Sequence, residues 1–156
     1  MSPAEVEKIR DLAAAPDLRV EAFQQMLQER LDAIAKLVAQ HRVEHRETQI
    51  HDLMEQFVSM SDELSDNLDE YQLHHNDLRK ALPKLVEASA KWPAILNQPP
   101  ENIAYSVSRK DALTTANDMH DSAQKLLDEQ KAWFKEHPPV KDNAPGEAPK
   151  PVIIPR

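Results

Sequence analysis

This sequence predicts an all-α protein: an up-and-down antiparallel bundle of three long helices plus a short N-terminal helix, with an extended proline-rich C-terminal tail. Three observations carry that expectation. Apolar residues recur at steps of three and four through most of residues 1–136, the period of a helix with one buried face. β-Branched residues are scattered and no alternating apolar run of six occurs, so strands have no sequence support. Prolines are partitioned, with none between Asp17 and Leu82 and six of the twelve at or after Pro138. The chain therefore divides into a bundle domain over residues 1–136 and a tail over 137–156.

Ser2-Pro3-Ala4-Glu5 is a capping box with proline in the first helical turn, so the serine and glutamate can satisfy each other's backbone N–H groups. A short helix with Val6, Ile9, Leu12 and Ala13 on one face should follow and stop near Ala15, because proline disfavours helical geometry in the residue before it. Asp17 can cap the next helix, whose stripe is Val20, Phe23, Leu27, Leu31, Ile34 and Val38. The polar stretch from His41 to Gln49 contains no breaker, which favours a continuous helix with a drifting stripe that reaches Leu53, Phe57 and Met60. The first reversal is then expected near Ser59 to Asp62.

In the third helix Leu64, Leu68, Tyr71, His75, Leu78, Leu82, Leu85, Ser89 and Trp92 alternate steps of four and three. That is the seam of a bundle or coiled coil. Pro83 falls inside it and should kink it, with the helix ending near Trp92-Pro93 or a turn later. A connection from Asn97 to Val107 leads to a last helix, opened by the cap signature Ser108-Arg109-Lys110-Asp111 and running to about Glu136. Its broad face combines Leu113, Ala116, His120, Ala123, Leu127 and Phe134 with Ala112, Met119, Leu126 and Trp133.

Composition removes many functions. The chain has no cysteine, which excludes thiolate zinc, iron–sulfur and c-type haem sites and a cysteine nucleophile. A single glycine excludes the glycine-rich loops that let backbone approach a phosphate. The net charge of -8 repels nucleic acid, and no basic stripe offsets it. The longest apolar stretch, Leu12 to Ala15, is far short of the roughly 20 residues of a membrane span. Met1-Ser2-Pro3-Ala4-Glu5 lacks the features of an export signal, so the chain as written reads as cytoplasmic; it reads as exported or periplasmic if Met1 replaces a cleaved leader.

Four constellations could carry chemistry. His41-Arg42-Val43-Glu44-His45 spells H-x-x-E-H and resembles the inverted zincin motif over five residues, which implies two histidines on one helix face binding zinc beside a glutamate that activates water. That family's large α/β fold has no counterpart here. His51 and Glu55 repeat the spacing ten residues on, so the candidate metal ligands are His41, Glu44, His45, His51 and Glu55, with zinc, iron or manganese as the metal; otherwise no cofactor is expected. His75 and His120 occupy seam positions and could face each other across the bundle. Asp62, Glu63, Asp66, Asp69, Glu70 and Asp77 form an acidic stretch with no Lys or Arg between Ser61 and Leu78, either a solvated face or a surface for a cation or basic partner. Lys150 to Arg156 places Val152, Ile153 and Ile154 between prolines, a segment suited to adding as a strand or lying in an apolar groove.

The expected function is that of a soluble, non-enzymatic interaction or structural protein. It would act through a helix surface on a protein partner, or by self-association into a dimer if the seams exceed what one chain can cover. The alternative is a metal-binding bundle that stores a divalent cation or performs metal-dependent chemistry at the His41, His45 and His51 cluster.

Overall fold

The computed structural model describes residues 1–40 and 42–139. All regular structure among them is helical, as expected: α1 (Pro3–Asp11), α2 (Pro16–Ala39), α3 (Arg46–Leu73), α4 (Leu82–Leu96) and α5 (Ser106–Glu136). The proline-rich tail beyond Pro139 lies outside the described residues.

α1 forms through its capping box: Glu5 N donates to Ser2 Oγ at 3.2 Å while Ser2 N donates to Glu5 Oε1 at 2.8 Å. It ends at Asp11 rather than Ala15, because Pro16 takes the first position of α2 and Ala15 must already have left the helical region, at φ -127 and ψ 78.

Both reversals depart from the sequence expectation, each for a physical reason, and the expected caps Asp17 and Ser108 lie inside α2 and α5, whose N-cap residues Ala15 and Tyr105 make no side-chain cap hydrogen bond. The first reversal falls between the end of α2 at Ala39 and the start of α3 at Arg46, and Ser59 to Asp62 lie in the middle of α3. The stripes on either side of the polar stretch are out of phase, and a turn resets the phase without forcing either stripe off the core; His45 makes that turn in the left-handed region at φ 57. The expected third helix is also divided, into the end of α3 and all of α4, by residues 74–81, with His75 at φ 52. Pro83 does not kink an interior turn. It sits at the second position of α4, where a missing N–H costs nothing. α4 then runs past Pro93 to Leu96, one turn beyond Trp92.

The bundle consequently has four helices, not three. α2 packs on α3 and α4, and α5 packs on the same two, while α1 rests on α2. Pairwise contacts give the directions. Glu21 meets Lys84 and Gln28 meets Trp92, so α2 and α4 run parallel; Glu55 meets Ser108 and Gln72 meets Glu129, so α3 and α5 run parallel. Ser89 meets His120 and Leu96 meets Arg109, so α4 and α5 run antiparallel. Residues 74–81 thus carry the chain across the diagonal of the bundle.

Gln130 of α5 holds that crossing. Its Oε1 accepts from Leu78 N at 2.8 Å and its Nε2 donates to Asn76 O at 2.7 Å. The diagonal helices α3 and α4 meet through side chains in the core, where Phe57 and Trp92 pack edge to face at 5.3 Å and 88°. Such a pair adds about 0.5–1.5 kcal/mol beyond its buried area. Of the expected seam, Leu64, Leu68, Tyr71, Leu78, Leu82, Leu85, Ser89 and Trp92 are buried by the chain's own helices, and His75 is exposed.

Candidate functional site

His41 lies outside the described residues. Glu44 and His45 stand in the turn before α3, both exposed and 3.8 Å apart, so His45 is not one helical turn along a continuous helix from His41. His51 is on α3, with Nδ1 3.0 Å from Asp52 Oδ1 and Nε2 3.8 Å from Glu55 Oε1. Glu55 also turns toward α5, where it accepts from Ser108 Oγ at 2.7 Å. Among the described residues no three His, Asp or Glu side chains gather closely enough to hold a metal ion.

The seam histidines part company. His120 is half-buried against α4, with Nδ1 3.1 Å from both Ser89 Oγ and Val86 O. His75 is exposed at the far end of the bundle and stacks on Trp133 at 3.6 Å and 6°, and His137 stacks on Trp133 at 3.7 Å and 14°. The indole is therefore held between two imidazoles. Beside it the Arg79 guanidinium lies 4.5 Å over the Phe134 ring, and its hydrogen bonds hold the Asp77 carboxyl below the usual carboxylate range.

At the opposite end Arg109, 8% exposed, organises the connection into α5. Its guanidinium donates to Pro99 O at 2.6 Å and Pro100 O at 3.0 Å, and sits 5.2 Å from the Tyr105 ring centroid. The Tyr105 hydroxyl donates to the same Pro100 carbonyl. Burial pushes the Tyr105 phenol up, with the Arg109 charge opposing it. These groups serve one another and the backbone.

A pocket of about 490 Å³ lies between α2 and α3, lined by Lys36, Gln40, Gln49, Asp52 and Gln56 among others, and a longer groove runs between the parallel helices α3 and α5. Three contiguous pockets form it. The first, about 130 Å³, is lined by Ser61, Asp62, Ser65, Thr115, Asp118 and Ser122, with Met119 at its base. The second, about 160 Å³, shares Ser65 and Ser122 and adds Asp69, Lys125 and Glu129. The third, about 130 Å³, continues from Gln72 and Glu129 to the His75–Trp133 stack. From Ser61 to His75 the groove spans about 20 Å at a rise of 1.5 Å per residue.

Its electrostatics are one-sided. Asp62, Asp69, Asp118 and Glu129 face it against the single ammonium of Lys125, which lies 4.0 Å from Glu129 and is 79% exposed. Gln72 donates to the same glutamate. At the first pocket Ser61 is 1% exposed, and its Oγ finds no hydrogen-bond partner among the described residues. A buried hydroxyl in that state costs about 1–3 kcal/mol, which is tolerable if something else supplies the bond.

The acidic stretch on α3 was readable from sequence, and the structure puts Asp62 and Asp69 of it on the groove. What sequence reasoning missed is the opposite wall, Thr115, Asp118, Ser122, Lys125 and Glu129. Those residues repeat at three and four beside the apolar stripe of α5, a second stripe of small and polar residues that is a legible signal once two faces are sought. Comparison with known proteins finds no matching family model, no similar curated protein and no similar solved structure.

Proposed function

We propose that this chain is a non-enzymatic interaction protein that works through the α3–α5 groove and receives a cationic partner there. The observation that supports this reading is the imbalance along the groove, four carboxylates against one ammonium on two facing helices. Carboxylates so arranged attract positive charge, and pairing them with a partner's ammonium groups relieves their mutual repulsion. Small side chains on the rim, Ser65, Thr115 and Ser122, leave both walls open to approach.

The test is a titration of the isotope-labelled full chain with a short oligolysine peptide, followed by amide chemical shifts. Shifts concentrated on residues 61–75 and 115–133 support the groove. Uniform or absent shifts overturn it. The same spectra separate the metal-binding alternative, which draws on the closeness of His51 to Asp52 and Glu55: added zinc would then move amides between His45 and Glu55 instead, and the oligolysine response would be missing.

A further inference from the structure

We infer that the occupant of the groove is a linear polyamine lying along it, an inference that rests on the reading of the groove as a cation-binding surface. Four observations lead there. The first is cross-section. Pockets of about 130, 160 and 130 Å³ strung end to end over the Ser61-to-His75 reach make a furrow that takes an unbranched alkyl chain and is too thin for a helix, whose diameter is about 10–12 Å.

The second is the spacing of charge. Asp62 and Asp118 form one acidic station, and Asp69 and Glu129 form another. Asp69 lies seven residues beyond Asp62, about 10 Å along α3. Two carboxylate pairs separated by a neutral stretch suit a ligand whose charges are separated by methylenes. A compact divalent ion could serve only one station, and among the described residues neither station gathers three metal-ligating side chains.

The third is the Ser61 hydroxyl. Ser61 lines the first station, buried and with its bonding capacity unused, and a rotation of its hydroxyl toward an ammonium seated between Asp62 and Asp118 would give it the partner it lacks. The rest of that station, Ser65, Thr115 and Ser122, is hydroxyl-bearing too. An ammonium has three N–H donors and no acceptor, so a wall of carboxylates and hydroxyl oxygens matches it. The fourth is that an alkylammonium already occupies the second station: Lys125 extends to within 4.0 Å of Glu129 while remaining largely exposed, and it can swing aside for a second amine.

The far end sets the length. His75 and Trp133 line the last of the three pockets, and both faces of Trp133 are taken by His75 and His137, so the described groove runs from Ser61 to the stack and offers a ligand no free indole face there.

The experiment is isothermal titration of the full chain with spermidine, repeated with 1,4-diaminobutane and with magnesium chloride at matched ionic strength, and mapped by amide shifts. Spermidine is expected to bind more tightly than the diamine, which is too short to span both stations, and magnesium is expected not to displace it. The exposed pair Asp69→Asn with Asp118→Asn should weaken spermidine about fourfold to twentyfold, at a typical surface ion-pair value of up to about fivefold per carboxylate. Glu7→Gln with Glu29→Gln, off the groove, removes the same net charge and should leave affinity unchanged. Equal weakening by both pairs overturns the inference, because only the mean field would then be acting. Groove shifts with oligolysine but none with spermidine overturn the polyamine and leave the proposed interaction surface standing. Silence with both probes overturns both.

Discussion

His45 and His75 share a backbone irregularity, φ 57 and φ 52, and differ in what offsets it. A left-handed conformation costs a non-glycine residue about 1–2 kcal/mol. His45 is exposed, with Nε2 3.8 Å from Glu44 Oε1. His75 stacks flat on Trp133. Replacement by glycine removes the strain at both sites and adds about 0.5–1 kcal/mol of unfolded-state entropy, so His45→Gly should range from neutral to stabilising by about 1.5 kcal/mol. His75→Gly also loses the stack and should destabilise. Thermal melts of the two variants check this, and equal shifts would contradict it. Sequence placed His75 on the seam because a step of four from Tyr71 lands there; it could not show that the helix stops two residues earlier. Ser61 was legible only as one polar residue among many. Its burial depends on α5, which approaches α3 from more than 40 residues away along the chain.

Among the elements, α1 is the least secured by burial, with Ile9 its one buried residue, and its attachment rests on one ion pair. Arg30 of α2 donates to Glu5 at 2.6 Å from both terminal nitrogens and to Gln56 of α3 at 2.9 Å through Nε, tying three helices together. The Arg30 hydrogen bonds hold the Glu5 carboxyl at about 2, against an ordinary 4.5. A carboxyl with a depressed folded pKa contributes stability that is complete above the unfolded value and lost as pH falls through the folded one. Helical carbon shifts of α1 should therefore persist at pH 6 and fade between about pH 4.5 and 2, whereas in Glu5→Gln they should already be weak at pH 6, a loss of about 1 kcal/mol. Persistence of α1 in that variant would assign its docking to Ile9 alone. The capping box, the helical nature of every element and the ends of α4 and α5 were readable in sequence, because they depend on local chemistry. The reversals were not. Residues 40–45 lack glycine and proline altogether, and the turn at 74–81 depends on Gln130 from the other end of the sequence.

In the whole molecule, the counts of charge and proline set the broad outline, an acidic helical bundle in which no described helix is long and apolar enough to cross a membrane. They left the pairing of helices open, since the same stripes serve three helices or four. The diagonal crossing has a consequence for assembly. α2 with α3, and α4 with α5, are two antiparallel hairpins laid side by side, joined by the eight residues from His74 to Ala81. Were that joint to straighten, the second hairpin of one copy could settle into the place left by the second hairpin of another, and every buried contact would re-form between chains. Gln130 works against this exchange by fastening Asn76 and Leu78 to α5, and the His75–Trp133 stack and the Arg79–Phe134 contact hold the same joint to the same helix. Gln130→Leu should release the joint at a cost of about 1–3 kcal/mol for each backbone group left unsatisfied and yield a concentration-dependent dimer by light scattering with unchanged helix content. A strictly monomeric variant would mean that the core alone keeps the hairpins at home. The joint between them is a latch, and one amide fastens two of its eight residues.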